Sequence, residues 1–276
     1  MEQIKLIALD MDGTLLSDDK ELSQENIDAI EKALDAGILV IPATGRTSNG
    51  LHPYFLENPR IQLAVCANGA LVYNMDTEEI LHTAALPKAK LMELREVFKE
   101  ENVLFDIFRG GKVYTDATSS SKLENYDIDP LIIEYIKKSR TPVEDLDQWI
   151  SELPEDEFNE KVTVFFKDKD HQNRGWEILN QQDGIMISSS MGPNIEVNAA
   201  NASKGQSIEW LANYLEIPMS QVMACGDNGN DMDMIQKVGL GVAMGNAIQP
   251  LKEVADVITD DNNHHGVARA IEKYAL

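Results

Sequence analysis

Residues Leu6–Leu16 read LIALDMDGTLL. An apolar run of strand length ends in two aspartates one residue apart, followed at once by Gly13 and Thr14. Side chains alternate along a strand, so Asp10 and Asp12 start out on the same side. A glycine at 13 lets the backbone turn sharply just beyond them, so that both carboxylates can face one cation. Two carboxylates this close repel, and one of them holds its proton more tightly unless a cation intervenes. A hard divalent cation such as Mg²⁺ relieves that repulsion, because it prefers oxygen ligands and leaves room for a substrate phosphate. Taken alone, the same residues also make an ordinary Asp-Gly turn closing a strand.

Around this stretch, the first third of the chain alternates short apolar runs with amphipathic segments, the pattern of a parallel sheet flanked by helices. IKLIALD (4–10) is the first strand. Ser23 caps a helix to about Ala36, with Ile27, Ile30 and Leu34 at helical spacing and Gly37 ending it. ILVIPAT (38–44) is the second strand, followed by a helix from about Thr47, and IQLAVCA (61–67) is the third. Asn68-Gly69 then turns tightly into ALVYN (70–74), and EEILHT (78–83) returns.

From about Leu86 the texture changes. KAKLMELREVFKEEN (88–102) reads as a helix, and VLFDIF (103–108) and KVYTD (112–116) as strands around a Gly110-Gly111 hairpin. A charged helical region follows through Trp149, then VTVFFKD (162–168), a helix over 173–182, IMISSS (185–190) and IEVN (195–198). Such hairpin-like pairing marks an inserted second domain. After Ser203-Lys204-Gly205 the first rhythm resumes, with helices QSIEWLANYL, DMDMIQKV, IQPLKEVA and GVARAIEKY alternating with strands QVMACGD and LGVAM. The expected fold is α/β: a Rossmann-like, doubly wound parallel sheet over 1–83 and 194–276, with an α+β cap over 84–193.

The chain has 276 residues, long enough for two unequal domains. It carries 24 Lys plus Arg against 47 Asp plus Glu, a formal charge of −23 that repels nucleic-acid backbones and anionic membranes. No basic segment leads into a long apolar stretch near Met1, and no later apolar run reaches the length of a bilayer span, so a cytoplasmic location is expected. Cys66 and Cys225 each lie within an apolar run and read as buried hydrophobes, with no disulfide.

In open α/β sheets ligands bind beyond the carboxyl ends of the strands, so the polar residues just past each apolar run are the ones that matter. Thr44-Gly45-Arg46 follows the second strand; Thr44 suits a helix cap, and equally a hydroxyl and free N–H groups that take up an anion. Lys204 sits in the first turn of a helix behind the cap residue Ser203, where it opposes the helix dipole unless something negative lies near, or else points to solvent. GDNGND (226–231) follows the apolar VMAC: Asp227 ends a strand and Asp231 begins a helix. It is not a calcium-binding loop of the EF-hand kind, because Gly229 occupies a ligand position and no glutamate follows at the twelfth place. Together these segments bring carboxylates, a hydroxyl, a lysine and helix N-termini to one sheet edge, an inventory suited to phosphoryl chemistry with Mg²⁺. The chain contains no P-loop pattern, no Gly-x-Ser-x-Gly elbow and no Cys/His zinc spacing.

DMDGT at Asp10, TGR at Thr44, SKG at Lys204 and GDNGND at Asp227 resemble, in order, the four motifs of the haloacid dehalogenase-like phosphatases. The insert between the second and third motifs is similar to that of the Cof-type branch, and the chain most resembles its YidA-like sugar phosphatases. The resemblance implies that Asp10 is the nucleophile and forms an aspartyl-phosphate, and that Asp12 is the general acid and base. Asp10, the main-chain carbonyl of Asp12, and Asp227 would hold Mg²⁺, with Asp231 supporting the site or ligating directly. Thr44 with Gly45, Lys204 and Asn230 would bind the transferring phosphoryl group. The implied activity is Mg²⁺-dependent hydrolysis of small phosphate esters, sugar phosphates foremost, under the cap.

The tail departs from the family pattern: His264-His265 stand before Gly266, where relatives often carry an acid, and read as an exposed helix start. Arg46 and Asn68 could face substrate, but a helix-start arginine and a hairpin turn explain them without function. Met232 and Met234 read as packing. A phosphomutase would use the same aspartyl-phosphate and return the phosphoryl group to a sugar. A receiver-type signalling module shares the acid cluster, hydroxyl and lysine, yet places its acceptor later in the chain and lacks the insert.

Overall fold

A computed structural model describes residues 3–99, 101–155, 159–189 and 192–276. It contains two compact units, Met1–Thr83 with Ser203–Leu276, and Ala84–Ala202. Along the chain the strands are β1 (Leu6–Leu9), β2 (Leu39–Pro42), β3 (Leu63–Cys66), β4 (Leu71–Asn74), β5 (Glu79–Thr83), β6 (Leu104–Arg109), β7 (Lys112–Asp116), β8 (Arg140–Val143), β9 (Lys161–Phe165), β10 (Ile185–Ser188), β11 (Asn194–Ala199), β12 (Val222–Gly226), β13 (Leu240–Ala243) and β14 (Val257–Ile258).

The first unit is built on a parallel sheet in the order β14-β13-β12-β1-β2. Every residue of β1, β12 and β13 is buried, as a parallel strand covered on both faces requires. The chain leaves β1 for β2 on one side and returns to β12 on the other. The crevice between the carboxyl ends of β1 and β12 is therefore the switch point of a doubly wound sheet, the place where such folds bind ligands. Ser23 caps the helix Gln24–Asp35 by accepting from the Asn26 N–H at 3.3 Å. Asn26, Ala29, Ile30 and Ala33 are fully buried there, while Ile27 and Leu34 flank that face half-buried.

In this unit the turn at Asn68-Gly69 brings the chain back as expected, and one local expectation, the helix at Thr47, fails. β3 is the first strand of an antiparallel trio, β3-β4-β5, joined to the end of β2 by one parallel bridge, Ala43 to Val65. The short turn Ala67–Gly69 leaves no length for a crossover, so β4 must come back antiparallel. No helix starts at Thr47: a 3₁₀ turn covers Ser48–Gly50, and the helix Pro53–Glu57 begins where proline can occupy a position that needs no N–H.

The second unit holds a six-stranded sheet in the order β10-β11-β9-β6-β7-β8, antiparallel except for the parallel β7–β8 pair. One of its clusters packs Leu104, Leu123, Tyr126, Ile128, Ile136 and Phe165 together. The β6–β7 connection is the expected two-residue hairpin, with Gly110 and Gly111 at φ 56° and 73°, which a type I′ turn demands. β8 was not foreseen within the charged helical stretch; Pro142 is tolerated because the strand lies at the sheet edge. The core does not resume at 194. IEVN lies in β11, between β9 and β10, and the first unit begins again at Ser203. Ser190 and Glu100, which the expected strand 185–190 and helix 88–102 include, lie outside the described residues.

Candidate active site

Asp10 follows β1, and its N–H donates to the Cys225 carbonyl of β12 at 3.1 Å, which pins it at the switch point with its side chain buried. The chain then turns through Gly13 at φ 84°. A Cβ at that position would lie 2.6 Å from Asp227 Oδ2, so only glycine lets the loop rest against that carboxylate. Fully buried Thr14 donates its hydroxyl to Asp227 Oδ1 at 2.9 Å.

Asp227 is the first residue after β12, and the loop beyond it is tied by Asp231. Asp231 Oδ2 accepts from the N–H groups of Asp227 at 2.9 Å and Asn228 at 3.1 Å, part of a capping box with Asn228. Its other oxygen, Oδ1, accepts from Lys204 Nζ at 2.7 Å. Lys204 opens the helix Lys204–Tyr214, which Ser203 caps by accepting from the Gln206 N–H at 3.0 Å. The lysine is wholly buried, and Nζ also donates to Asp10 Oδ1 at 2.6 Å. Lys204 thus bridges residues that lie 194 and 27 positions away in the sequence.

One oxygen from each of Asp10, Asp227 and Asp231 lies within 4.8 Å of the others. Burial raises the Asp10 carboxyl well above its ordinary range, and the Asp231 and Asp227 charges add to the effect while Lys204 opposes it. Burial and the Asp231 charge push Asp227 up to about 6. For Lys204, burial works against the charge, but the Asp10 and Asp231 carboxylates outweigh it and hold the ammonium well above its usual range. Three carboxylates around one lysine leave the cluster short of positive charge. Its donors are all oxygens, the set that suits a hard divalent cation.

The Asp12 carboxylate does not join this cluster, and the expected convergence of both acids on one cation does not occur. Arg46 grips Asp12 at both oxygens, Nε to Oδ2 at 2.7 Å and Nη2 to Oδ1 at 2.8 Å, and Lys20 Nζ lies 3.0 Å from Oδ1. Burial would raise Asp12, but the hydrogen bonds and charges of Arg46 and Lys20 outweigh it and hold the acid well below the usual carboxylate range. Arg46 is therefore no helix-start arginine. Thr14, Lys20 and Arg46 were given no role at this site by the sequence motifs. For Thr14 and Arg46 the signal was position, next to DMDG and after Thr44; for Lys20 there was none.

Thr44 sits at the end of β2 beside β1, buried, its N–H bonded to the Val65 carbonyl at 2.9 Å and its Oγ1 accepting from the Arg46 N–H at 3.2 Å. Gly45 lies between those two residues on the same sheet edge. Asn230 Nδ2 donates to Asn68 Oδ1 at 3.1 Å, which brings the GDNGND loop to the turn after β3. His264 pairs with Asp261 at 2.7 Å, and His265 at φ 59° leads into the helix Gly266–Tyr274, so the pair does open a helix. Met234 is buried as expected. Cys66 and Cys225 are buried and unbonded. Among the described residues no helix is long and apolar enough to cross a membrane.

A family model for haloacid dehalogenase-like hydrolases matches residues 7–271. Phosphatase YwpJ of Bacillus subtilis is 30% identical over 285 residues, 98% of this chain and 99% of the relative. The 5-amino-6-(5-phospho-D-ribitylamino)uracil phosphatase YcsE of the same organism is 32% identical over 280 residues, 99% and 96% of the two chains. A solved haloacid dehalogenase-like hydrolase from B. subtilis matches with a TM-score of 0.85 at 28% identity, covering 98% of this chain and all of the other. The chain belongs to the haloacid dehalogenase-like hydrolases, as a Cof-type phosphatase cleaving phosphoric monoesters.

Proposed function

We propose that the protein is a Mg²⁺-dependent phosphatase of small phosphorylated metabolites, sugar phosphates foremost, acting through an aspartyl-phosphate on Asp10. The observation that carries this reading is the buried Lys204 ammonium held between Asp10 and Asp231, with Asp227 converging on the same point.

The Asp10 and Asp227 carboxylates with the Asp12 main-chain carbonyl would hold the cation. Asp231, whose oxygens already accept from Lys204 and two backbone N–H groups, orients the lysine and the loop. When bound, Mg²⁺ supplies positive charge against the carboxylates and the phosphoryl oxygens. Asp10 attacks phosphorus: its O–P bond forms as the ester P–O bond breaks, and Asp12, which must take up a proton as substrate binds, delivers it to the departing oxygen. In the second step Asp12 takes a proton from water, whose oxygen forms the new bond to phosphorus while the Asp10 O–P bond breaks. Lys204, the Thr44 hydroxyl, the Gly45 N–H and Asn230 stabilise charge on the phosphoryl oxygens.

The second unit would act as the substrate-selecting cap. YcsE is named for a substrate with a phosphorylated ribityl chain, which favours polyol and sugar phosphates as the first compounds to test. The buried free thiols suit a reducing compartment, and we place the protein in the cytoplasm. A panel of phosphorylated metabolites assayed for inorganic phosphate, with and without Mg²⁺, tests the reading. Mg²⁺-dependent release from sugar phosphates is expected. Return of the phosphoryl group to the sugar without free phosphate, or no release from any compound, would overturn it.

A further inference from the structure

The turn after β3 is strained beyond what a chain reversal requires. β3 and β4 pair as far as Cys66 and Leu71, which leaves residues 67–70 as the loop, and loops of this length are commonly built around a right-handed type I turn. Here Ala67, Asn68 and Gly69 run at φ 50°, 58° and 95°, so two successive non-glycine residues are left-handed, one of them an alanine. Such backbone persists where its surroundings over-determine it, and it gathers at functional sites.

Those surroundings are segments of the site itself. The Ala67 N–H donates to the Arg46 carbonyl at 2.8 Å, and the Asn68 N–H to the Thr44 carbonyl at 3.0 Å. The buried Ser207 hydroxyl, in the helix that begins at Lys204, donates to the Gly69 carbonyl at 2.6 Å, and a Cβ on Gly69 would strike the Ser203 carbonyl. The strained turn carries Asn68 inward, where the residue is 4% exposed and its Oδ1 accepts from Nδ2 of half-buried Asn230 at 3.1 Å.

A carboxamide has a donating and an accepting end of nearly the same shape, and a phosphoryl oxygen can only accept. Asn68 Oδ1 settles which end of Asn230 is which: Nδ2 gives one hydrogen to Asn68 and keeps its second for another acceptor. We propose that Asn68 is a positioning residue for Asn230, holding its amide so that this second N–H meets the transferring phosphoryl group. The proposal rests on the reading of Asn230 as a phosphoryl contact.

A double-mutant cycle on the full chain, with Mg²⁺ and p-nitrophenyl phosphate, tests this. Asn230→Ala should lower kcat/KM by ~100-fold, the usual worth of one donor to a developing oxyanion. Asn68→Gly removes the side-chain acceptor, yet glycine takes left-handed backbone readily and leaves the main-chain bonds of the turn available. It should lower kcat/KM by ~10-fold or more, because Asn230 is no longer held in one orientation. In the Asn230→Ala background, Asn68→Gly should cost no more than about twofold further, since the group it positions is gone. Activities are compared at equal folded concentration, so a change in stability does not enter the cycle. Losses that multiply in the double variant, or full activity in Asn68→Gly alone, would overturn the role of Asn68 with Asn230 still in place. Full activity in Asn230→Ala would overturn Asn230 as a phosphoryl contact, and the proposal with it, while the metabolite panel still decides the reading of Asp10 and the cation.

Discussion

The second unit buries Asp106 against Arg140 at 2.8 Å and Lys161 against Glu196 at 2.8 Å, pairs of opposite charge nearly closed to solvent. The first unit buries Lys204 among Asp10, Asp231 and Asp227, three carboxylates to one ammonium. Matched pairs of this kind are neutral as they stand and gain nothing from an added ion. The unmatched cluster is left with negative charge in a place poor in water, which is costly until a cation arrives. The ratio of charges, more than their burial, separates an architectural polar contact from a chemical one.

The largest effect expected from this contrast is at Asp10. Asp10→Asn removes the proposed nucleophile and should lower phosphate release by about four orders of magnitude or more. Release above that level would show that the carboxylate is not attacked through this oxygen. Withdrawal of the divalent cation comes next. Chelation should abolish turnover reversibly. It should also lower the melting temperature of the first unit, since saturation at about 100 times Kd is worth ~2.7 kcal/mol. A melting curve unmoved by Mg²⁺ would mean that the acid excess is not a cation site.

In the second unit the sign reverses. Arg140→Met leaves Asp106 charged and buried, which should cost about 3–5 kcal/mol in chemical denaturation. Phosphate release from p-nitrophenyl phosphate should stay within a few-fold where the variant remains folded. Replacing both partners, as Asp106→Leu with Arg140→Met, should recover most of the loss, because the penalty belongs to the unpaired charge. If the single variant loses turnover at full native population, the division between architectural and chemical charge fails.

The same contrast explains what could be read in advance. Asp10, Asp227, Asp231 and Lys204 were legible because each sits just past an apolar run or a helix cap, where alternation and the switch-point rule say side chains must converge. The fork between Asp12 and Arg46 was not, because it joins residues 34 apart through a loop whose path no periodicity encodes. Residues 195–198 misplaced the boundary for a related reason: a short apolar alternation looks the same in either sheet, and only pairing with β9 and β10 assigns it to the second unit. β8 was hidden by its composition, since Arg140, Thr141 and Pro142 at a sheet edge lack the apolar signature of an interior strand.

The smallest effects come from a matched pair of glycines, both inside helices, where alanine would ordinarily add up to about 1 kcal/mol of stability. Gly205 follows Lys204, and a Cβ there would press on the Asp233 main-chain oxygen at 2.6 Å. Gly175, in the helix Lys169–Leu179, packs against the Phe166 ring, which is buried and held edge-on by Phe98. Neither neighbour can move cheaply, so each alanine should destabilise by ~1–3 kcal/mol. The two should differ in function. Gly205→Ala shifts the first turn of the helix that carries the Lys204 ammonium to Asp10, and a displacement of a few tenths of an ångström should lower kcat for p-nitrophenyl phosphate at least tenfold. Gly175→Ala disturbs only packing in the second unit and should leave that kcat within about twofold at equal folded concentration. Equal losses of kcat would show that the second unit takes part in the chemistry.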